Sequence, residues 1–123
     1  MSNRFETGGI LLGTWKDETV IIEQMIHISN QSHKKNEFVV SAENMNEYIN
    51  RRDFVGLFHT HHILPFPGLR DYLTMTKLCR QTGVPLCLII MKKHLTVWQF
   101  KPDLSLMRRC HAILPANYPQ YLS

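Results

Sequence analysis

The chain lacks any apolar run near the roughly 20 residues that cross a bilayer, so no helical membrane span is expected. Its first residues, Met1-Ser2-Asn3-Arg4-Phe5, lack the apolar stretch of a secretory signal. Cysteine is scarce: Cys79, Cys87 and Cys110 are odd in number, widely spaced and set in apolar surroundings, with no CxxC pair. That excludes a disulfide framework and a thiolate zinc site, and reads as reduced core thiols of a cytoplasmic protein. Repeats and low-complexity segments are absent too. The net charge is +4, yet the cations come as scattered pairs, Lys34-Lys35, Arg51-Arg52, Lys92-Lys93 and Arg108-Arg109. A dense basic stripe with interleaved aromatics is missing, which argues against a nucleic-acid partner. The charge reads as a solvated, mildly basic surface, one that would also favour an acidic partner or an acidic substrate tail.

What is present is one domain's worth of chain: 123 residues, 44% apolar and 20% charged. Strands and helices alternate along it. Glu6 to Gly13 reads as a strand whose Gly8 and Gly9 permit close backbone approach. Thr19 to Ile28 is a second strand entered through the turn Trp15-Lys16-Asp17-Glu18. Phe38-Val39-Val40 is a short β-branched piece, and Ser41 caps a helix reaching about Arg52. Phe54 to His61 is apolar enough for a central strand. A loop stiffened by Pro65 and Pro67 leads to a helix from Arg70 to Thr82, with Gly83 suited to end it. Leu86–Met91 and Leu95–Phe100 form a hairpin across Lys92-Lys93-His94, and Met107 to Leu114 reads as an edge strand. The fold class is α/β: a single domain, residues 1–123, with a mixed β-sheet flanked by helices.

The chemistry concentrates where the central strand ends, at Phe58-His59-Thr60-His61-His62. His59 and His61 are two apart, so on an extended strand both imidazoles point to one face and can share a metal. A catalytic zinc takes three protein ligands and leaves the fourth position open. Asp71, at the start of the helix after the proline loop, is the candidate third ligand, and a carboxylate there also suits the helix N-terminus. His62 is then a rim residue, since a fourth protein ligand would close the site. Activating a water also needs a base. Glu6 heads an apolar strand, where an acid is costly unless paired or used.

These residues, "ETGGILLG", "GLFHTHH" and "LRDYL", resemble the JAMM motif of the JAB1/MPN/Mov34 metalloenzymes over roughly residues 5 to 100. That motif is a glutamate on a strand, then H-x-H, then S-x-x-D opening a helix. The resemblance implies the MPN architecture, a cytidine-deaminase-like arrangement, holding Zn2+ through His59, His61 and Asp71, with Glu6 as general acid/base. It implies hydrolysis of an amide or isopeptide bond to a ubiquitin-like protein, with E1- or E2-like enzymes as further partners. The chain departs from the pattern in three places. Its loop from His61 to Asp71 is one residue short, His62 replaces the usual proline, and Gly68 stands where the motif serine assists the substrate carbonyl. Only five residues precede Glu6, which leaves no room in this sequence for the family's helix before that strand; the chain is either a natural minimal form or a truncated one. The alternative is a weak or inactive MPN scaffold that binds other proteins. A nucleobase deaminase would need H-x-E with P-C-x-x-C, which is absent.

Overall fold

The computed structural model describes residues 7–32, 39–60, 66–91, 94–102 and 107–116. In chain order these form β1 (Gly8–Lys16), β2 (Thr19–Ile28), α1 (Ala42–Ile49), β3 (Phe54–Thr60), α2 (Leu69–Thr82), β4 (Leu86–Met91), β5 (Leu95–Phe100), β6 (Met107–Arg109) and β7 (His111–Ile113). The strands make one mixed sheet in the order β6-β5-β4-β3-β1-β2-β7. β3 and β4 run parallel and are joined by α2, while β1 lies antiparallel to both β2 and β3. The α/β class with a mixed sheet and two helices is therefore observed. Among the described residues no helix is long and apolar enough to cross a membrane.

Local signals explain the helix ends. Ser41 caps α1 by accepting the Asn44 N–H at 3.2 Å. Gly83 closes α2 in the left-handed region at φ 73°, donating its N–H to the Cys79 carbonyl. Val39 and Val40, expected in a short strand, lie outside any strand here. The Asn30 side chain instead accepts from the Val39 N–H, and the Val39 carbonyl accepts from Gln31. A local turn network thus takes the bonds a ladder would have used.

The two faces of the sheet bury separate cores. On one, Ile10, Leu12, Leu57, Leu88 and Ile90 pack with Ile49 of α1 and Met75, Leu78 and Cys79 of α2. On the other, Leu11, Val20, Val55, Phe58, Cys87, Ile89 and Val97 pack together with no helix among the described residues, covered in part by Trp15, Cys110 and Leu114. What shields this second core is the path of residues 107–113. The expectation of one edge strand from Met107 to Leu114 is corrected here. Arg109 pairs with Trp98 of β5, and two residues later His111 pairs with Thr19 of β2. Opposite edges of the sheet are therefore only one short step of chain apart, so the sheet is rolled around its second core. Glu18, in the β1–β2 turn, clasps the seam by accepting from Arg108 at 2.9 Å. Cys87 is buried within this roll, and its burial pushes the thiol well up; burial also pushes Cys79 and Cys110 up to about 11. All three cysteines are free thiols.

One irregularity decides which side of the sheet His59 faces. β3 carries a bulge against β1: Leu11 pairs with Gly56, but Leu12 pairs with Phe54, so Val55 has no opposite number. Strict alternation would send Phe54 and Leu57 to opposite faces. Both instead lie in the helix-side core. The extra residue resets the phase, and everything after Gly56, His59 included, takes its direction from that reset.

Candidate functional site

His59 is the penultimate residue of β3, at the carboxyl end of a central strand, where open α/β sheets form their ligand crevice. It is 4% exposed, one of two buried polar residues among those described. Its Nε2 lies 3.0 Å from Oδ1 of Asp71. Asp71 belongs to the first turn of α2, and its other oxygen accepts the Gly68 N–H at 2.8 Å. That bond fastens the carboxylate to the N-cap of its own helix, and the helix dipole favours negative charge there. Strand end and helix start thus fix the two side chains from opposite directions.

Glycine makes room for the pair. Gly8 of β1 lies opposite His59, and a Cβ at Gly8 would stand 2.2 Å from the Phe58 carbonyl oxygen and 2.7 Å from the His59 Cβ. Gly9 likewise lets the His27 and Phe58 rings meet edge to face across it, with centroids 5.7 Å apart. Just beyond, Thr7 and Thr60 continue the two strands: the Thr60 N–H donates to the Thr7 carbonyl at 2.8 Å, and the Thr60 hydroxyl accepts the Thr7 N–H at 2.9 Å.

His59 and Asp71 form the polar end of a cavity of about 200 Å³ between the two helices and the sheet. Leu57, Leu88, Met45 and Met75 give it apolar walls, and Arg70 and Thr74 lie on the α2 side. Within such a cavity a buried imidazole and a carboxylate can either bond to each other or face a common cation. Two tetrahedral zinc ligands at ordinary bond lengths stand about 3.3 Å apart. The donor types fit zinc, while the 3.0 Å separation of Nε2 and Oδ1 is that of a direct bond between the two side chains. Among the described residues no three His, Cys, Asp or Glu side chains converge as a metal group.

Four of the five expected site positions divide evenly. His59 and Asp71 are brought together; Glu6 and His61 lie outside the described residues, as do His62 and Pro65. Gly68, the fifth, has no side chain to offer a substrate, and its N–H is committed to Asp71. Sequence reasoning missed this positioning role, although a glycine three residues before an acid at a helix start is a legible capping signal. It also missed Arg70 and Met45 as cavity residues.

A model of the family described as JAB1/Mov34/MPN/PAD-1 ubiquitin protease matches residues 1–82. No curated protein matches the chain. Among solved structures, the solution structure of protein DSY2949 from Desulfitobacterium hafniense is similar in fold, with a TM-score of 0.59 at 16% identity. That match covers 98% of this chain and 85% of the other.

Proposed function

The chain belongs to the JAB1/Mov34/MPN/PAD-1 family, and we propose that it is a zinc-dependent isopeptidase or peptidase acting on an amide bond to a ubiquitin-like protein. The observation that carries this reading is the pairing of buried His59, at the carboxyl end of β3, with Asp71 at the start of α2. In this proposal His59, His61 and Asp71 hold the metal. A zinc held there would acidify a water and polarise the scissile carbonyl. Gly68 keeps Asp71 oriented through its N–H, an outer contact of the kind that sets ligand geometry. Glu6 takes a proton from the attacking water and delivers it to the leaving amine. The closely packed Gly8–His59 crossing keeps the neighbouring strands in register for that transfer. A ubiquitin-like protein, with E1- or E2-like enzymes beside it, is the proposed partner set.

The direct test is zinc content by elemental analysis of wild type and His61→Ala, purified alike. About one zinc per chain in the wild type and none in the variant is expected. A wild type that carries no zinc and takes up none would overturn the metal reading.

A second reading, a catalytically weak scaffold of the same family, is favoured by one observation: Gly68 in place of serine leaves no hydroxyl at that point. The position itself has space. Among the described residues a Cβ there would meet only the Asp71 Oδ2, at 3.7 Å, an ordinary contact. Gly68→Ser should therefore fold with stability within about 0.5 kcal/mol of wild type, since serine caps helices at least as well as glycine. If the hydroxyl reaches the developing oxyanion, hydrolysis should rise about ten-fold or more. Urea unfolding and initial rates on a ubiquitin-like conjugate read the two effects separately. Unchanged rates would mean that the carbonyl is already served by another donor or is not a substrate here.

A further inference from the structure

Helix α2 buries Met75, Leu78 and Cys79, yet it also shows solvent an apolar stripe. Leu69 and Leu73, one turn apart, are 75% and 58% exposed, and Phe66, just ahead of the helix, is 53% exposed. Phe66 stands edge-on to Trp98 of β5, with centroids 6.2 Å apart. Arg109 of β6 lays its guanidinium over the same Trp98 ring, 5.4 Å from the centroid. An apolar ridge thus runs from the start of α2 to the β5–β6 ladder. Single exposed apolar residues are ordinary; a contiguous group marks an interaction site.

Among the described residues, the charged side chains that extend the ridge or lie over its Trp98 end are cationic. Lys77 and Arg80 extend the Leu69–Leu73 stripe at helical spacing, and both are exposed, as is Arg109 at the far side. The asymmetry runs through the sequence. From Phe54 to the C-terminus there are eight Lys and Arg but only two acids, Asp71 and Asp103; the other eight acids precede Phe54. Asp71 is turned away from the ridge, toward His59.

We propose that this ridge docks a protein partner that presents apolar side chains flanked by Asp and Glu. Apolar contacts supply the affinity, and the charge pattern steers the encounter and rejects basic partners. A second copy joined through the same ridge would press Lys77, Arg80 and Arg109 against their own kind. Nucleic acid fits less well, because bases stack on aromatic rings and the most exposed residue of the ridge is Leu69. The inference is independent of zinc. It places a bound protein on the same helix that carries Asp71, beside the cavity end.

The test uses a fluorescein-labelled amphipathic peptide with leucines on one helical face and glutamates flanking them, and a control with lysines for the glutamates. Anisotropy titrations would be run with wild type, the Leu69→Ser/Leu73→Ser variant and the Lys77→Glu/Arg80→Glu variant. Circular dichroism should show both variants folded, since all four positions are exposed. Wild type is expected to bind the glutamate peptide and not the lysine peptide. The serine variant should bind about ten-fold more weakly, and the charge-reversed variant should exchange its preference between peptides. Three results would each overturn the proposal: no binding of the glutamate peptide, equal binding by wild type and both variants, or oligonucleotide binding that is tighter and insensitive to the serine substitutions. Sedimentation showing a wild-type dimer that the serine variant loses would assign the ridge to self-association instead.

Discussion

Gly56→Ala should cost the folded state about 3 kcal/mol, at the upper end of what overpacking produces. The added Cβ would stand 1.9 Å from the Cys87 carbonyl oxygen and 2.8 Å from its carbon, and Gly56 sits at φ +155°, a conformation side chains rarely adopt. The obstacle is backbone, not the tip of a movable side chain. β3 and β4 are both buried central strands, so parting them loosens both cores at once. The other escape is to abolish the bulge. Doing so would reverse the phase of β3 beyond residue 56 and turn His59 toward the core opposite the helices. Urea unfolding followed by circular dichroism measures the loss, and zinc content would read the phase if His59 holds the metal as proposed. A loss under about 1 kcal/mol with metal binding intact would mean that the bulge absorbs a methyl group and does not set the direction of His59.

The same bulge shows where the sequence stops being readable. Phe54-Val55-Gly56-Leu57-Phe58 reads as one continuous apolar run, which fits a central strand but carries no period from which a face could be assigned. The class of β3 was legible; its phase was not, because the glycine that resets it looks like a strand glycine of any kind. The rolled sheet was hidden for a different reason. Met107 to Leu114 has a strand's composition, but nothing in it says that partners change at Cys110, from antiparallel β5 to parallel β2. Pairing partners of short strands are decided by tertiary packing. By contrast, β2, the β4–β5 hairpin, the cap at Ser41 and the glycine end of α2 were legible because each rests on local chemistry. The meeting of His59 and Asp71 lies between these cases. The strand end and helix start could each be read, and the short proline-bearing loop between them limited how far apart they could fall.

Glu6→Gln should lower hydrolysis of a ubiquitin-like conjugate by about a thousand-fold while leaving about one zinc per chain. The amide keeps the size of the carboxylate and its capacity to accept a hydrogen bond, but it cannot take up the water's proton or return it to the leaving amine. Metal binding in this proposal depends on His59, His61 and Asp71, so the two readouts separate. The site's own construction adds a reason to expect this. Thr7, the residue next to Glu6, is bonded through its N–H and its carbonyl to Thr60, which lies between the two histidines in sequence. The strand that follows Glu6 and the strand that carries His59 are therefore tied through Thr7 and Thr60. The glutamine variant should keep that tie, and its thermal unfolding should match wild type. Full activity in Glu6→Gln with zinc present would remove Glu6 from the chemistry and require another base. Wild type no faster than the variant, on a conjugate that an active relative cleaves, would instead identify the chain as a family member that keeps its histidine–aspartate pair for structure or binding alone.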